Sequence, residues 1–439
     1  MSTSLASILA SEPDFSRQRL LESLSEAEAE ALLYDWRFWA RPSQIEPPGD
    51  WRFWFFKAGR GAGKTRSAAE WVIEQVRSSP TPIRIALVGK TPADARDVMV
   101  NGDAGIIQRS PPWFCPVYHS SKRLVLWPNG STATLYSSYQ YDTLRGPAHH
   151  IAWADEIASW RYPDATFSNL DFGLRLGENP RCVISSTPRP IRLVKDLIAR
   201  DGKDVVVTGG STYDNRANLP KAFLDAIIRR YEGTPLGEQE IHARVIGDTP
   251  GALWRRAMID ATRVVRHPDL VRVVVGVDPQ GTKSADGEEA THETGIICAG
   301  LGEDGHGYVF DDASIDDLPD KWAAAVVACF NRFGADLVCG EVNFGGQMVE
   351  WTIRTVQPLI PFKPVVASRG KYIRAEPISA LYAQGRVHHV GMFGGLEDEM
   401  CSYVSRPGAR SPNRLDALVI GLTELMLEGR APGDLGLSL

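Results

Sequence analysis

From residue 51 onward the chain alternates short apolar runs with stretches whose apolar residues recur every three or four positions. "WRFWFFKAG" (51–59) reads as a buried strand entering a glycine-rich loop, and "KTRSAAEWVIEQVRS" (64–78) as the helix after it. "IRIALVG" (83–89), "HHIAWADE" (149–156), "RCVISSTP" (181–188) and "DVVVTGG" (204–210) read as further strands. "TPADARDVMV" (91–100) has a helical Thr-Pro start, and "RLVLWPNGSTATLYS" (123–137) a hairpin turning at Asn129-Gly130. Strands alternating with helices predict a mostly parallel sheet covered by helices. Residues 13–40 are helical in period, and the prolines of "RPSQIEPPGDW" (41–51) end that segment.

Residues 219–246 read as helical, and "GDTPGALW" (247–254) breaks the pattern. A second run of strands and helices then begins at "VRVVVGVDPQG" (271–281). It continues through the strands "TGIICAG" (294–300), "GYVFDDASI" (307–315) and "ADLVCGEV" (335–342), with "DKWAAAVVACFNRF" (320–333) and "NRLDALVIGLTELML" (413–427) as helices. The expected organisation is a helical segment 1–40, an α/β domain 41–250, a linker 251–265, a second α/β domain 266–430 and a loose tail 431–439.

Composition supports two cores: 439 residues, 43% hydrophobic and 23% charged. A formal net charge of −6 excludes a bulk-basic nucleic-acid coat protein but leaves room for a local basic groove. The six cysteines form no C-x-x-C pair, which predicts buried reduced thiols rather than structural zinc. No secretory pattern and no 18-residue apolar run is present, so a soluble intracellular protein is expected.

The glycine loop carries the first chemistry. A P-loop spaced G-x-x-x-x-G-K-[ST] would place glycine at position 58, where this chain has Ala58. Gly59, Gly61 and Gly63, with Arg60 and Ala62 between them, can still turn backbone amides toward phosphate, and Lys64 and Thr65 supply the ammonium and hydroxyl at the helix start. The competing reading is a plain glycine-rich connection. Asp155 and Glu156 close an apolar strand, offering one carboxylate for Mg²⁺ and one to orient an attacking water. Together the two elements predict an ATPase. Ser185, Ser186 and Thr187 end another strand, where hydroxyls can sense a γ-phosphate.

The second half carries three acids in strand, strand, helix order: Asp278, Glu341 and Asp416. Inward carboxylates are costly unless paired or metal-bound. Converging, they would hold two Mg²⁺ or Mn²⁺ about 4 Å apart, a clamp for cutting a phosphodiester. That order is the ribonuclease-H-like arrangement. Asp286, Glu288, Glu289, Glu293, Asp311 and Asp312 compete for a fourth ligand position.

From about Arg41 to Leu427, through "GRGAGKT", "LRGPAHHIAWADE", "SSTP", "GVDP" and "RLDAL", the chain resembles the large terminase subunit, the DNA-packaging motor of tailed bacteriophages and gene-transfer particles. The resemblance implies an N-terminal P-loop ATPase domain and a C-terminal ribonuclease-H-like nuclease domain. It makes Lys64 and Thr65 Walker A residues, Asp155 and Glu156 the Walker B pair, and Ser185 to Thr187 the coupling motif. Gln44 in "RPSQ" is implied to read adenine, and Asp278, Glu341 and Asp416 to ligate the nuclease metals. Lys371 and Arg374, in "GKYIRAEPISALYAQGRVHHV" (370–390), match the family's basic segment near DNA phosphate. Where family members often carry Asp-Glu-Thr-Gly, this chain has His292-Glu293-Thr294-Gly295, so the family's acid at 292 is a histidine here and the resemblance does not carry a metal role to that position.

The implied cofactors are ATP and Mg²⁺, with Mn²⁺ possible at the nuclease site. The implied partners are double-stranded DNA, a small terminase subunit, the portal protein of the procapsid and further copies in a ring, with no membrane. The implied place is the bacterial host's cytoplasm, transiently at the portal. Arg145, eleven residues before Glu156, is a candidate arginine finger toward a neighbouring subunit, with Arg60 and Arg66 as competitors and a DNA-contacting or capping arginine as the alternative. Two other functions compete: a helicase-like DNA remodeller whose second domain binds without cutting, and a nucleotide-switched binding module. The Asp-Glu pair argues against the latter, since a switch needs no strong catalytic base.

Overall fold

The computed structural model describes residues 4–279, 293–342, 348–366, 371–404 and 412–428. The chain divides into two compact units, Met1–Gly247 and Asp248–Leu439. The first is built on eight strands: β1 (Phe53–Ala58), β2 (Arg84–Gly89), β3 (Val117–His119), β4 (Leu124–Leu126), β5 (Thr132–Ser137), β6 (Ile151–Asp155), β7 (Arg181–Ser186) and β8 (Val205–Gly210). Their order is β3-β4-β5-β2-β6-β7-β1-β8, parallel from β5 to β8, with β3-β4-β5 an antiparallel edge. All strands of the parallel part therefore end on one side, and β7 lies between β6 and β1.

The apolar runs of β1, β2, β6 and β7 are buried because helices cover both faces of a parallel sheet. In β1, Phe53, Trp54, Phe55 and Phe56 are all almost fully buried, and the Trp54 indole donates to Thr208 Oγ1 at 2.7 Å. The helix Lys64–Ser78 lays Ala68, Ala69, Val72, Ile73 and Val76 into this core.

Two expectations for this unit need correction. The helical segment 13–40 is three short helices, Asp14–Glu22, Glu26–Leu33 and Trp36–Trp39, preceded by a fourth, Leu5–Ser11. Pro13, a Ser25–Glu28 capping box and an Asp35 cap start new helices where the 3.6-residue period runs on. Residues 219–246 form two helices, Lys221–Tyr231 and Pro235–Glu240, parted by Gly233 at φ 76° and restarted at Pro235. Beyond Glu240 the chain leaves the helix and returns to the glycine loop.

The second unit contains β9 (Leu270–Asp278), β10 (Glu293–Gly302), β11 (Gly307–Asp312), β12 (Ile315–Asp316), β13 (Leu337–Glu341), β14 (Phe362–Val365) and β15 (Val387–His389). The order is β14-β13-β9-β10-β11-β15, with β12 on β10. β9, β10 and β11 are antiparallel, while β13 and β14 run parallel to β9. The three antiparallel strands have β13 and β14 beside β9, and β15, parallel to β11, at the other edge, a mixed sheet of the ribonuclease-H-like class expected. β14 and β15 were not legible as strands of this sheet, being only four and three residues long.

One face of this sheet is covered by the helices Lys371–Ala383 and Asn413–Thr423, the other by Pro319–Phe333 and Met348–Val356. The helix Asn413–Thr423 lies directly on two glycines. A Cβ at Gly276 would sit 2.1 Å from the Ala417 carbonyl, and one at Gly295 2.0 Å from that of Asn413. Among the described residues, no helix of either unit is long and apolar enough to cross a membrane.

A buried ion network anchors the start of this unit. Glu397 is fully buried and accepts from Arg256 Nη1 at 2.7 Å, Arg263 Nη1 at 2.6 Å, His389 Nδ1 at 3.0 Å and the Phe393 amide at 3.0 Å. Burial alone would raise its pKa. Arg263, the His389 hydrogen bond and Arg256 outweigh that and hold the carboxyl well below the usual range. Removing the charge leaves two arginines buried without it, so Glu397→Gln should cost about 3–5 kcal/mol at neutral pH. A depressed carboxyl pKa contributes stability above its unfolded pKa and loses it as pH falls through the folded one. The gap between wild-type and variant melting temperatures should therefore narrow in acid. Equal melting temperatures at pH 7 would contradict the assignment.

Candidate functional site

The loop leaving β1 answers the question of Ala58. That residue ends the strand, and the left-handed backbone falls instead on Gly61 (φ 74°) and Gly63 (φ 90°). Gly59 is needed for space: a Cβ there would sit 2.5 Å from the Ile241 carbonyl and 2.8 Å from that of Glu240. Ala62 is buried under the loop. A cleft of about 540 Å³ opens over it, lined by Arg60, Gly61, Gly63, Lys64, Thr65 and Arg66 on one wall. Glu156, Ser159, Thr187 and Arg189 form the opposite side.

The strand order β6-β7-β1 decides what meets in the cleft. Thr187 follows β7 and therefore stands between Glu156 and Lys64. The buried Lys64 ammonium donates to Ala58 O at 3.1 Å, Gly59 O at 3.2 Å and Thr187 Oγ1 at 2.8 Å, and lies 3.5 Å from Glu156 Oε1. The Thr187 amide donates to Glu156 Oε2 at 3.1 Å. Glu156 itself has φ 49°, a conformation costing a non-glycine residue about 1–3 kcal/mol and concentrated at functional sites. Its amide holds that position by donating to Ser185 O at 2.6 Å.

The serines of "SSTP" turn away from the cleft. Ser185 Oγ donates to Asp155 Oδ1 at 2.5 Å and accepts from the Trp153 indole at 2.7 Å, while Ser186 Oγ accepts from the Ala158 amide at 3.2 Å. Only Thr187 faces the lysine. Asp155 is buried behind Glu156, and burial, then the neighbouring Glu156 charge, push its carboxyl up to about 7. Thr65 lines the cleft and Asp155 is buried at the end of β6; a hydroxyl and a carboxylate are oxygen donors of the kind Mg²⁺ takes.

Gln44 packs against the loop rather than lining the cleft. Its Nε2 donates to Ser67 Oγ at 3.1 Å, and its Oε1 accepts from the Arg41 amide at 3.1 Å. Arg145 is exposed, 3.7 Å from Asp142, and does not line the cleft. Arg60 pairs with Glu240 at 3.3 Å, and Arg66 with Glu70 at 3.3 Å beneath the Trp36 ring. Sequence reading missed Arg189, although it directly follows the Ser-Ser-Thr-Pro stretch, and Glu240, whose place depends on a chain return across the loop.

In the second unit, parity in the sheet sets the three acids. Gly340 pairs with Val277 in parallel register, so Glu341 and Asp278 end neighbouring strands at the same level. Val274, Cys339 and Gly276 face the helix Asn413–Thr423, and two-residue alternation puts Asp278 and Glu341 on that face too. Asp416 lies in the first turn of this helix, buried like Asp278. Arg374 Nη1 donates to Glu341 Oε2 at 3.1 Å, so this arginine meets an acid of the set. Lys371 opens the same helix as Arg374, but its side chain lies outside the described residues.

Among fourth-ligand candidates, Glu293 and Asp312 are both bound by Arg414, at 2.6 and 2.7 Å. Asp311 turns instead toward Cys329, while Asp286, Glu288, Glu289 and His292 lie outside the described residues. Carboxylates on one face suit hard cations. As placed, no three His, Cys, Asp or Glu side chains among the described residues stand close enough to hold a metal ion.

Residues 55–261 match the family model described as the terminase large subunit, T4likevirus-type, N-terminal. That match covers a little under half of the chain and marks a likeness of its first unit to terminase large subunits. Solved structures similar to the chain include the large terminase of a thermophilic bacteriophage in complex with ATP-gamma-S. It is 14% identical, covering 90% of this chain and 98% of that one, with a TM-score of 0.42. Another is the HK97 bacteriophage large terminase, 12% identical over 91% and 94% of the two chains, TM-score 0.37. The large terminase nuclease of the thermophilic phage G20c is 12% identical over 40% of this chain and 98% of its own, TM-score 0.30. No curated protein matches the chain. The matched region includes the glycine loop, Glu156 and Thr187, which line the cleft.

Proposed function

We propose that the chain is an ATP-driven motor that packages double-stranded viral DNA into a procapsid and cuts it with its second unit. The observation that carries this reading is the Lys64–Thr187–Glu156 junction at the mouth of a cleft, inside a region matching the terminase family. A glycine loop, a lysine ammonium and a carboxylate on a strained backbone, all lining one cavity, are the parts phosphoryl transfer to water requires.

In this reading the loop amides cradle the phosphates of ATP, and Lys64 exchanges its carbonyl and threonine partners for phosphate oxygens. Glu156 then orients the attacking water and accepts its proton. Mg²⁺, when bound by Thr65 and Asp155, supplies neutralisation of the phosphate charge. Gln44 reads adenine only if its present hydrogen bonds rearrange. DNA is the polymer moved and cut, Lys371 and Arg374 contact its phosphates, and a small terminase subunit supplies site choice. The portal protein, a ring of copies and the host cytoplasm complete the proposal. Two-metal cutting by Asp278, Glu341 and Asp416, with Mg²⁺ or Mn²⁺, is its finer part, supported by their common face.

A second reading keeps the motor but makes the second unit a DNA-binding module, as in a helicase-like remodeller. The Arg374–Glu341 pair favours it, because a carboxylate held by arginine is not free for a cation.

Lys64→Ala should abolish ATP binding, whereas Glu156→Gln should retain binding and lose at least a hundredfold in turnover. Wild-type hydrolysis by Glu156→Gln would show that another group orients the water. Asp278→Ala, Glu341→Ala and Asp416→Ala should each stop cutting of plasmid DNA with Mn²⁺ and leave ATP hydrolysis unchanged. If all three still cut, the second unit uses other residues; if wild type never cuts, the DNA-binding reading takes over. Arg145→Ala and Glu156→Gln subunits, each inactive alone, should regain hydrolysis when mixed, because an intact arginine then meets an intact glutamate across some interfaces. Co-assembly without recovery would remove Arg145 as a finger acting between subunits.

A further inference from the structure

The carbonyls of the glycine loop are held one by one from outside the cleft. Arg60 O accepts from Thr212 Oγ1 at 2.7 Å, Gly61 O from Asn215 Nδ2 at 2.7 Å, Ala62 O from Arg41 Nη2 at 2.6 Å, and Gly63 O from Ser67 Oγ at 2.9 Å. Two of the donors also hold each other, Arg41 Nη1 donating to Asn215 Oδ1 at 2.8 Å. Arg41 precedes β1, and Asn215 lies in the turn Thr212–Asn218 after β8. The pair therefore joins two distant chain segments over the crown of the loop.

In a planar trans peptide, C=O and the following N–H point in opposite directions. Carbonyls fixed at 61 and 62 set the side of the amides after them, Ala62 N, which donates to Gly59 O at 3.2 Å, and Gly63 N; Gly59 N and Arg60 N are held by Gly210 O and Glu240 O at 3.0 and 2.7 Å. Gly61 and Gly63 could otherwise flip at little steric cost, since glycine populates both signs of φ. We infer that Arg41 and Asn215 are positioning residues that hold the loop in its phosphate-binding conformation, so that they set affinity for a polyphosphate without touching it. The inference rests on the nucleotide reading of the same cleft. It extends that reading to two residues outside the glycine loop and identifies polyphosphate, rather than base, as the ligand part they govern.

The test measures binding of ADP and of inorganic pyrophosphate to the full-length protein by calorimetry. Asn215→Ala and Arg41→Ala should each weaken both ligands by about tenfold and by the same factor, the worth of one to two hydrogen bonds. The double variant should be little worse than either single one, because the two side chains act as one clasp. Arg41→Lys, which keeps charge and stem but can make only one of the two bonds, should lose about threefold and serves if an alanine variant fails to fold. Turnover at saturating ATP should fall less than twofold, separating positioning from catalysis. Unchanged pyrophosphate affinity in the variants, or additive losses in the double variant, would overturn the clasp. Failure of wild type to bind either ligand would instead overturn the nucleotide reading, and the clasp with it.

Discussion

A lysine with only 8% of its surface exposed must find partners for its ammonium, and the strand ends around the glycine loop supply them. Lys64 is satisfied by two carbonyls at the end of β1 and by Thr187, with Glu156 just beyond. Those partners come from three parallel strands, and only the order β6-β7-β1 brings all three ends together. A bound polyphosphate would compete for the same ammonium. The strand ends and the cleft are thus coupled through one charge, and a change of ligand must be felt by Thr187 and by the carboxylate its amide holds.

The second unit depends on a different constraint, close approach of a helix to a sheet. Gly276 and Gly295 let the helix Asn413–Thr423 lie on backbone, and this closeness brings Asp416 to the face where Asp278 and Glu341 end their strands. Acids gathered this way would repel one another, and arginines answer them: Arg374 holds Glu341, while Arg414 holds Glu293 and Asp312. Arg414 immediately precedes Leu415 and Asp416, so the same helix turn carries both an acid of the set and the cation that binds its neighbours.

Each unit also uses buried polarity to join segments far apart in the chain. In the first, Arg41 and Asn215 meet over the glycine loop, 174 positions apart. In the second, Arg256 and Arg263 meet Glu397, with His389 completing the set. Such networks stabilise modestly when complete and cost several kcal/mol when broken, about 3–5 for a buried pair. They therefore fix geometry more than they add stability.

What could be read from the chain alone was whatever depends on local order. The buried run of β1, the amphipathic helix after it and the strand ends at Asp155 and Asp278 are patterns of neighbouring residues, and they hold in the structure. The short strands β14 and β15 were missed because three or four residues carry too little pattern to distinguish them from loop. The single helix expected over 13–40 failed because caps and a proline interrupt the chain without interrupting its period. Which hydroxyl of Ser185, Ser186 and Thr187 meets Lys64, and what holds the loop carbonyls, were decided only by the fold. Apart from Ser67 on Gly63, those contacts join residues tens to hundreds of positions apart, and no local pattern encodes which distant segment will arrive.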